Sequence, residues 1–168
     1  MTDILKTDRL TLRELEHSDF DDFYAICSDT ILMKYMGDGE PLGAEDVRRW
    51  IDVSQNNYKT KGFGASAVID NTNDDFIGFA GIVYSKQHKF YEIIYCLKQS
   101  HWGKGLATEL ADAILKKGLN DYELPYIYAT IDHANTASIR VVEKVGMTYE
   151  KTIPEDGIDV DFFVIRAE

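Results

Sequence analysis

Residues 101–110 read HWGKGLATEL, and their types suit the binding of an anion. Gly103 and Gly105 flank Lys104, and the stretch ends in residues that favour a helix. Glycines at such a junction let a ligand approach the backbone closely. The first N–H groups of a helix lack internal partners, and the helix dipole adds partial positive charge there. A helix start of this kind binds phosphate, and Lys104 adds charge to it. Two better-known phosphate loops do not fit. A P-loop requires G-x-x-x-x-G-K-[ST], whereas Lys104 is followed by Gly105. A dinucleotide fingerprint requires glycine or alanine at its third position, where Thr108 stands. Taken alone, an isolated G-x-G is more simply a turn.

Other reactive side chains are sparse. Cys27 and Cys96 form no spaced cluster with histidine, so a zinc site has no support. Two cysteines are too few for a disulfide scaffold, and reduced thiols in a cytoplasmic protein are the expectation. Cys96 reads as a buried strand residue, and His101 and His133 as solvated loop residues. The net charge of −11 disfavours nucleic acid as a partner. It suits solubility and is also compatible with a cationic substrate. The amino terminus, MTDILKTDRL, carries acids and lacks the apolar core of a secretory signal. The longest near-continuous apolar run, residues 76–84, falls far short of the roughly 20 residues that span a bilayer. No membrane partner is expected.

The elements that must position these residues alternate between strand and helix. The 168 residues suit one domain, and a hydrophobic content of 45% excludes wholesale disorder. Alternation over residues 10–15 predicts a first strand. Ser18, with Asp21 three residues later, reads as an N-cap for a helix carrying Phe20, Phe23, Tyr24 and Cys27. Val47, Trp50 and Ile51 mark a second helix over residues 44–58. Between the two, Gly37, Gly39, Pro41 and Gly43 predict a mobile loop. Residues 63–69, 76–84 and 91–97 read as three antiparallel strands joined by polar turns. HWGKGLATEL opens the next helix, whose apolar face is Leu106, Leu110, Ala113 and Ile114 and whose end is expected at Lys116, Lys117 and Gly118. A strand over residues 125–131 follows, so this helix forms a crossover between parallel strands. Asn135 reads as the N-cap of a last helix with Ile139, Val142 and Val145 on one face and Gly146 at its end. Strands over residues 147–153 and 160–165 complete a mixed, mostly antiparallel α/β (α+β) sheet flanked by helices.

The neighbours of the two glycines add a resemblance. WGKGLA, residues 102–107, resembles the pyrophosphate-binding Q/R-x-x-G-x-G/A of the GNAT superfamily of acyl-CoA-dependent N-acetyltransferases. Gly105 and Ala107 take its fourth and sixth positions, while Trp102 replaces the Gln or Arg. That replacement is usual in the branch resembling ribosomal-protein N-terminal acetyltransferases. TDRLTLRELEHSDFDDFYAI from Thr7, FIGFAGIVY from Phe76 and NTASIRVVEKVGM from Asn135 are similar to further segments of that branch. The resemblance covers nearly the whole chain.

The resemblance implies a fold in which two parallel strands splay apart around acetyl-CoA. It places the pantetheine arm along the backbone of Tyr95, Cys96 and Leu97. It places the pyrophosphate on the N–H groups of Trp102, Gly103, Lys104, Gly105, Leu106, Ala107 and Thr108, and gives the Asn135 side chain a contact with the arm. Glu92 matches a position where the superfamily often carries a base; a solvent-facing glutamate is the plainer alternative. A backbone N–H near Cys96 or Leu97 would face the oxyanion. The tyrosine that many members use to protonate the thiolate is replaced by Val142, leaving Ser138, which as an ordinary first-turn serine has a plainer role. The implied acceptor is a protein N-terminal amine, with polyamines, aminoglycosides and amino acids open and acids such as Glu40, Glu45, Glu155, Asp156 and Asp159 near its site. A non-catalytic acyl-CoA sensor and a structural scaffold are the other classes. The resemblance admits a monomer or a homodimer.

Overall fold

The computed structural model describes residues 2–168. Its eight strands form one sheet in the order β1-β2-β3-β4-β5-β6-β8-β7. They are β1 (Asp3–Lys6), β2 (Leu10–Glu14), β3 (Ala65–Asp70), β4 (Phe76–Ser85), β5 (Phe90–Leu97), β6 (Tyr126–Asp132), β7 (Thr148–Glu155) and β8 (Ile158–Arg166). The helices are α1 (Phe20–Cys27), α2 (Ala44–Lys61), α3 (Leu106–Asn120) and α4 (Thr136–Lys144). Every neighbouring pair is antiparallel except β5 with β6, which α3 joins as a crossover. The expected mixed sheet and its parallel pair are therefore present. No described helix is long and apolar enough to cross a membrane.

Strand alternation sends alternate side chains to opposite faces, so each face acquires its own core. Leu106, Leu110, Ile114 and Leu115 of α3 and Val142 of α4 pack with Ile93 and Leu97 of β5 on one face. Phe23, Ile26 and Cys27 of α1 and Val47 and Ile51 of α2 pack with Phe79 and Cys96 on the other. The functional consequence lies in β5. Tyr91 and Tyr95 look toward α3 and α4, while Ile94 and Cys96 look toward α1 and α2.

Several local expectations are corrected. A strand, β1, precedes the expected first strand; its DILK lacks a clear polar–apolar alternation. Ser18 does not cap α1. A 3-10 turn, His17–Asp19, comes first, and Asp19 Oδ2 accepts from the Glu16 N–H at 2.8 Å. Arg13 holds that carboxylate through Nη1 at 2.8 Å and Nη2 at 2.7 Å, so a tertiary ion pair decides where the helix begins. Helix α2 continues to Lys61, and Gly62, at φ +83°, ends it in the left-handed region. Gly118 is not the end of α3. It is buried inside the helix, and a Cβ there would lie 2.5 Å from Ile82 Cδ1 and 2.6 Å from Ile127 Cδ1. The segment expected as a loop between the two helices is one, built as a run of turns with Met33 N–H bonded to Asp29 O at 3.0 Å and Gly39 N–H to Met36 O at 2.9 Å.

Strand β4 carries two glycines because its neighbours come too close for side chains. A Cβ on Gly81 would overlap the Gly64 carbonyl oxygen, and one on Gly78 the Cys96 carbonyl oxygen. Both obstacles are backbone and cannot swing aside. Gly81→Ala is expected to lower the unfolding free energy by about 2–3 kcal/mol, as overpacking does. Urea denaturation of the variant beside the parent checks this, and an unchanged midpoint would contradict it.

Candidate active site

Strands β5 and β6 pair at one position only, Glu92 with Tyr128. By contrast, β5 pairs with β4 from Phe90 to Leu97, and β6 pairs with β8 from Tyr126 to Asp132. Beyond Glu92 the edge of β5 facing β6 is thus left without a strand partner. An edge of this kind takes up an extended ligand through main-chain hydrogen bonds. Tyr95, Cys96 and Leu97 lie on it.

Glu92 sits where the strands part. Thr130 Oγ1, from β6, donates to its Oε2 at 3.1 Å. Burial raises its pKa above the ordinary glutamate value, against the opposing pull of the Thr130 bond and of His88, while Glu155 pushes it further up. Nearby, His88 Nε2 meets Glu155 Oε1 at 2.7 Å, tying the β4–β5 turn to the β7–β8 hairpin. The imidazole is stacked on Phe90 and meets Phe162 edge-on, each at 5.1 Å between ring centres.

On the opposite face, the Tyr95 hydroxyl lies 2.7 Å from Ser138 Oγ. Burial pushes the Tyr95 phenol up to about 12, so at neutral pH it keeps its proton. Ser138 occupies the first turn of α4, and its N–H donates to Asn135 Oδ1 at 3.3 Å. Asn135 is therefore the expected cap, with its side-chain NH2 still available. Val142, one turn further on, is fully buried and offers no hydroxyl. Sequence reading gives Tyr95 a backbone role and, beside Tyr91, a place in shaping the pocket or in strand packing; the meeting of its hydroxyl with Ser138 is a product of the fold.

The glycine loop follows directly. Gly103 at φ +73° and Gly105 at φ +75° both adopt the left-handed region that favours glycine. A Cβ on Gly103 would meet nothing within 4 Å, so the loop opens outward. The first helical bond of α3 runs from Glu109 N–H to Gly105 O at 3.1 Å. The N–H groups of Gly105, Leu106, Ala107 and Thr108 precede that ladder. Leu106 itself is buried and begins the core face of α3, whereas Gly103, Lys104 and Gly105 are exposed. The Trp102 indole N–H donates to Leu97 O at 2.9 Å, fastening the loop to the end of β5. His101, expected to be solvated, is instead largely covered: its Nε2 lies 3.1 Å from Asp70 Oδ2 and its Nδ1 2.9 Å from Ser100 Oγ. His133 stays exposed and meets the buried Asp161 at 2.8 Å. Thr7, Arg9 and Glu109 support the loop from behind, and sequence reading missed all three.

The "Acetyltransferase (GNAT) domain" family model matches residues 9–148. The chain belongs to the GNAT acetyltransferase family. It is an acyltransferase of that family, and the sheet with one parallel pair is the family's fold. An uncharacterized protein of Bacillus subtilis (strain 168), YkkB, is 38% identical over 157 residues, covering 89% of this chain and 87% of the relative. Among solved structures, the RimL ribosomal L7/L12 alpha-N-protein acetyltransferase in complex with coenzyme A superposes with a TM-score of 0.82 at 16% identity, covering 99% and 98% of the two chains. Spermidine N-acetyltransferase from Vibrio cholerae, in complex with CoA and spermine, superposes with a TM-score of 0.80 at 22% identity, covering 95% of this chain and 96% of that one.

The two cysteines of this GNAT protein are buried and unpaired with one another. Cys96 Sγ points to Leu32 O at 3.8 Å, and burial pushes both thiols up to about 12. A thiol with that pKa is roughly 10⁻⁴ ionised at pH 8, too little for a ready nucleophile. Neither thiol of the native protein is expected to react with Ellman's reagent within minutes at pH 8, and both to react after denaturation. Prompt release of one equivalent from the native protein would contradict this.

Proposed function

We propose that this enzyme transfers an acetyl group from acetyl-CoA to a primary amine, with a protein N-terminal amine as the acceptor. The observation that carries the reading is Glu92, a half-buried carboxylate of raised pKa at the point where β5 and β6 part. The cofactor's residues fit the chemistry required of them. The unpartnered edge at Tyr95, Cys96 and Leu97 suits the amide-bearing pantetheine arm, and Asn135, whose Oδ1 caps α4, keeps an amide NH2 for it. The residues 102–108 present left-handed glycines, N–H groups ahead of a helix ladder and no obstructing Cβ, which suits a pyrophosphate. Acetyl-CoA supplies the acyl thioester.

The chain's own residues then handle protons. An amine attacks only when neutral, and a lysine-like amine has a pKa of about 10.4 against about 7.7–8.0 for a protein N-terminus. Glu92 takes the proton that the amine gives up, directly or through a water. A backbone N–H of Cys96 or Leu97 faces the oxygen that gains negative charge as the C–N bond forms. Ser138, backed by the Tyr95 hydroxyl at 2.7 Å, supplies a proton to the sulfur as the C–S bond breaks. The two groups lie on opposite faces of β5, so each can work on its own side of the thioester carbonyl.

An α-amine acceptor suits the arrangement of acids. Glu155, the acid of the last hairpin with only 23% side-chain exposure, is already engaged by His88. It is therefore not free to grip a polycation, and an amine of lower pKa needs less such help. A small polyamine is the second reading, favoured by the net charge of −11. A non-catalytic sensor of acyl-CoA fits less well, because it has no need of a carboxylate of raised pKa at the strands' parting.

Free-thiol release from acetyl-CoA tests the proposal across N-terminal peptides, polyamines and aminoglycosides. Strongest turnover with a peptide α-amine is expected; turnover confined to polyamines would move the acceptor to the second reading. Coenzyme A binding without turnover on any amine would favour the sensor. Because Glu92 must be ionised to accept a proton and its pKa is raised, activity should fall with decreasing pH at higher values than an ordinary glutamate would give. Glu92→Gln is expected to lower kcat by about a hundredfold, within the usual range for a general base, and to abolish that acid limb while sparing coenzyme A affinity. An unaltered pH–rate profile would remove Glu92 from this role. Gly105→Val forces a branched side chain into a left-handed conformation; coenzyme A affinity should fall at least tenfold, by about 1.4 kcal/mol or more, with the fold retained by circular dichroism.

A further inference from the structure

Glu109 is an electrostatic puzzle. It stands in the first turn of α3, beside a loop read above as an anion cradle, where a bare carboxylate would repel the ligand. Its oxygens are instead filled from the amino-terminal segment. Oε1 accepts from Thr7 Oγ1 at 2.6 Å and from the Arg9 N–H at 3.1 Å. Oε2 accepts from Arg9 Nε at 2.7 Å and lies 2.6 Å from Nη2. The remaining guanidinium nitrogen, Nη1, donates to the Lys104 carbonyl at 2.8 Å.

That last bond fixes more than charge. Lys104 lies between the two left-handed glycines, and its carbonyl belongs to the peptide plane shared with Gly105. In a trans peptide the C=O and N–H point in opposite directions. Holding the Lys104 carbonyl toward Arg9 therefore turns the Gly105 N–H away from Arg9. The planar, forked guanidinium holds a carboxylate and a carbonyl in fixed directions through separate nitrogens, which the single ammonium of a lysine does not. Thr7 is itself held, because the Leu10 N–H donates to its Oγ1 at 3.0 Å and Asn71 Nδ2 to its carbonyl at 3.2 Å.

We infer that Arg9 is a positioning residue for the cofactor loop: it neutralises Glu109 and sets the peptide plane that presents the Gly105 N–H to the pyrophosphate. This rests on the reading of residues 102–108 as the pyrophosphate cradle. Every guanidinium nitrogen of Arg9 already has a partner behind the loop, which favours holding the loop over gripping the anion.

The sign of the Glu109 effect separates this role from the alternatives. Arg9→Gln, Glu109→Gln, the double variant and Arg9→Lys are titrated with coenzyme A by calorimetry. Pantetheine, which lacks the pyrophosphate, is titrated in parallel in the millimolar range. Arg9→Gln is expected to weaken coenzyme A binding about tenfold, the loss typical of a charge-assisted hydrogen bond, and to leave pantetheine affinity unchanged. Glu109→Gln should also weaken coenzyme A, although it removes a negative charge near the phosphates. The double variant should be no worse than Arg9→Gln. Arg9→Lys keeps the charge on Glu109 and serves if Arg9→Gln fails to fold; it too should weaken coenzyme A at an unchanged melting temperature. Tighter coenzyme A binding by Glu109→Gln would overturn the inference and make Arg9 a direct phosphate ligand. Lower melting temperatures with coenzyme A affinity unchanged would reduce the cluster to a fold-stabilising one and also overturn it. If the parent protein binds coenzyme A no better than pantetheine, the cradle reading fails and the inference with it. If the parent favours coenzyme A strongly and Arg9→Gln does so equally, the cradle stands and only the inference falls.

Discussion

One backbone constraint organises this molecule: β5 and β6 pair as strands at Glu92 and Tyr128 and at no other position. On one side of that junction the chain builds an antiparallel sheet from β1 to β5; on the other it builds β6, β8 and β7. A parallel pair must be joined by a crossover, and α3 supplies it. The same junction leaves main-chain groups of β5 without a strand partner. Only residues 98–105 separate the end of β5 from the start of α3, and the Trp102 indole folds that stretch back onto Leu97, so those groups and the open helix start fall close together. The site follows from sheet geometry before any side chain is considered.

Side chains then divide the work by face. Alternation along β5 sends Tyr95 toward α4 and its serine, and places Glu92 on the face of Ile94 and Cys96, toward α1 and α2. The glycines of β4 let neighbouring backbone approach closely, which packs this central region of the sheet tightly behind the site. The Trp102 indole and the His101–Asp70 contact fasten the glycine loop to β5 and to the β3–β4 turn. Few of these groups need to move for the arrangement to be complete, and such preorganisation favours catalysis.

Much of this was legible in the sequence, for reasons that are local. The glycine loop, the Asn135 cap and the helical stripes depend on residues a few positions apart, where spacing translates into direction. The strand missed at Asp3–Lys6 lacks clear alternation, so periodicity had nothing to detect. Ser18 has the composition of a cap, yet the carboxylate next to it is held back on the Glu16 N–H and Arg13, and a 3-10 turn intervenes. Gly118 has the composition of a helix stop, yet it is present because Ile82 and Ile127 press on the helix there. Tyr95 with Ser138, His101 with Asp70 and Arg9 with Glu109 are separated by 43, 31 and 100 positions, and no spacing rule links them. Arg9 stood within a segment whose resemblance was visible, but its partner was not.

The Arg9–Glu109 clasp also bears on how the molecule reaches its working state. Contacts between residues far apart in sequence carry a large loop-closure entropy and tend to form late. Most of α3 packs against strands nearby in the chain, and it can acquire its helical shape early. Its amino-terminal loop, however, waits for a segment that is synthesised first and docks across 100 intervening positions. On the proposed reading of this loop, competence to hold a ligand would lag behind secondary structure, and a chain whose first strands have not yet been placed would be a helical but unready protein.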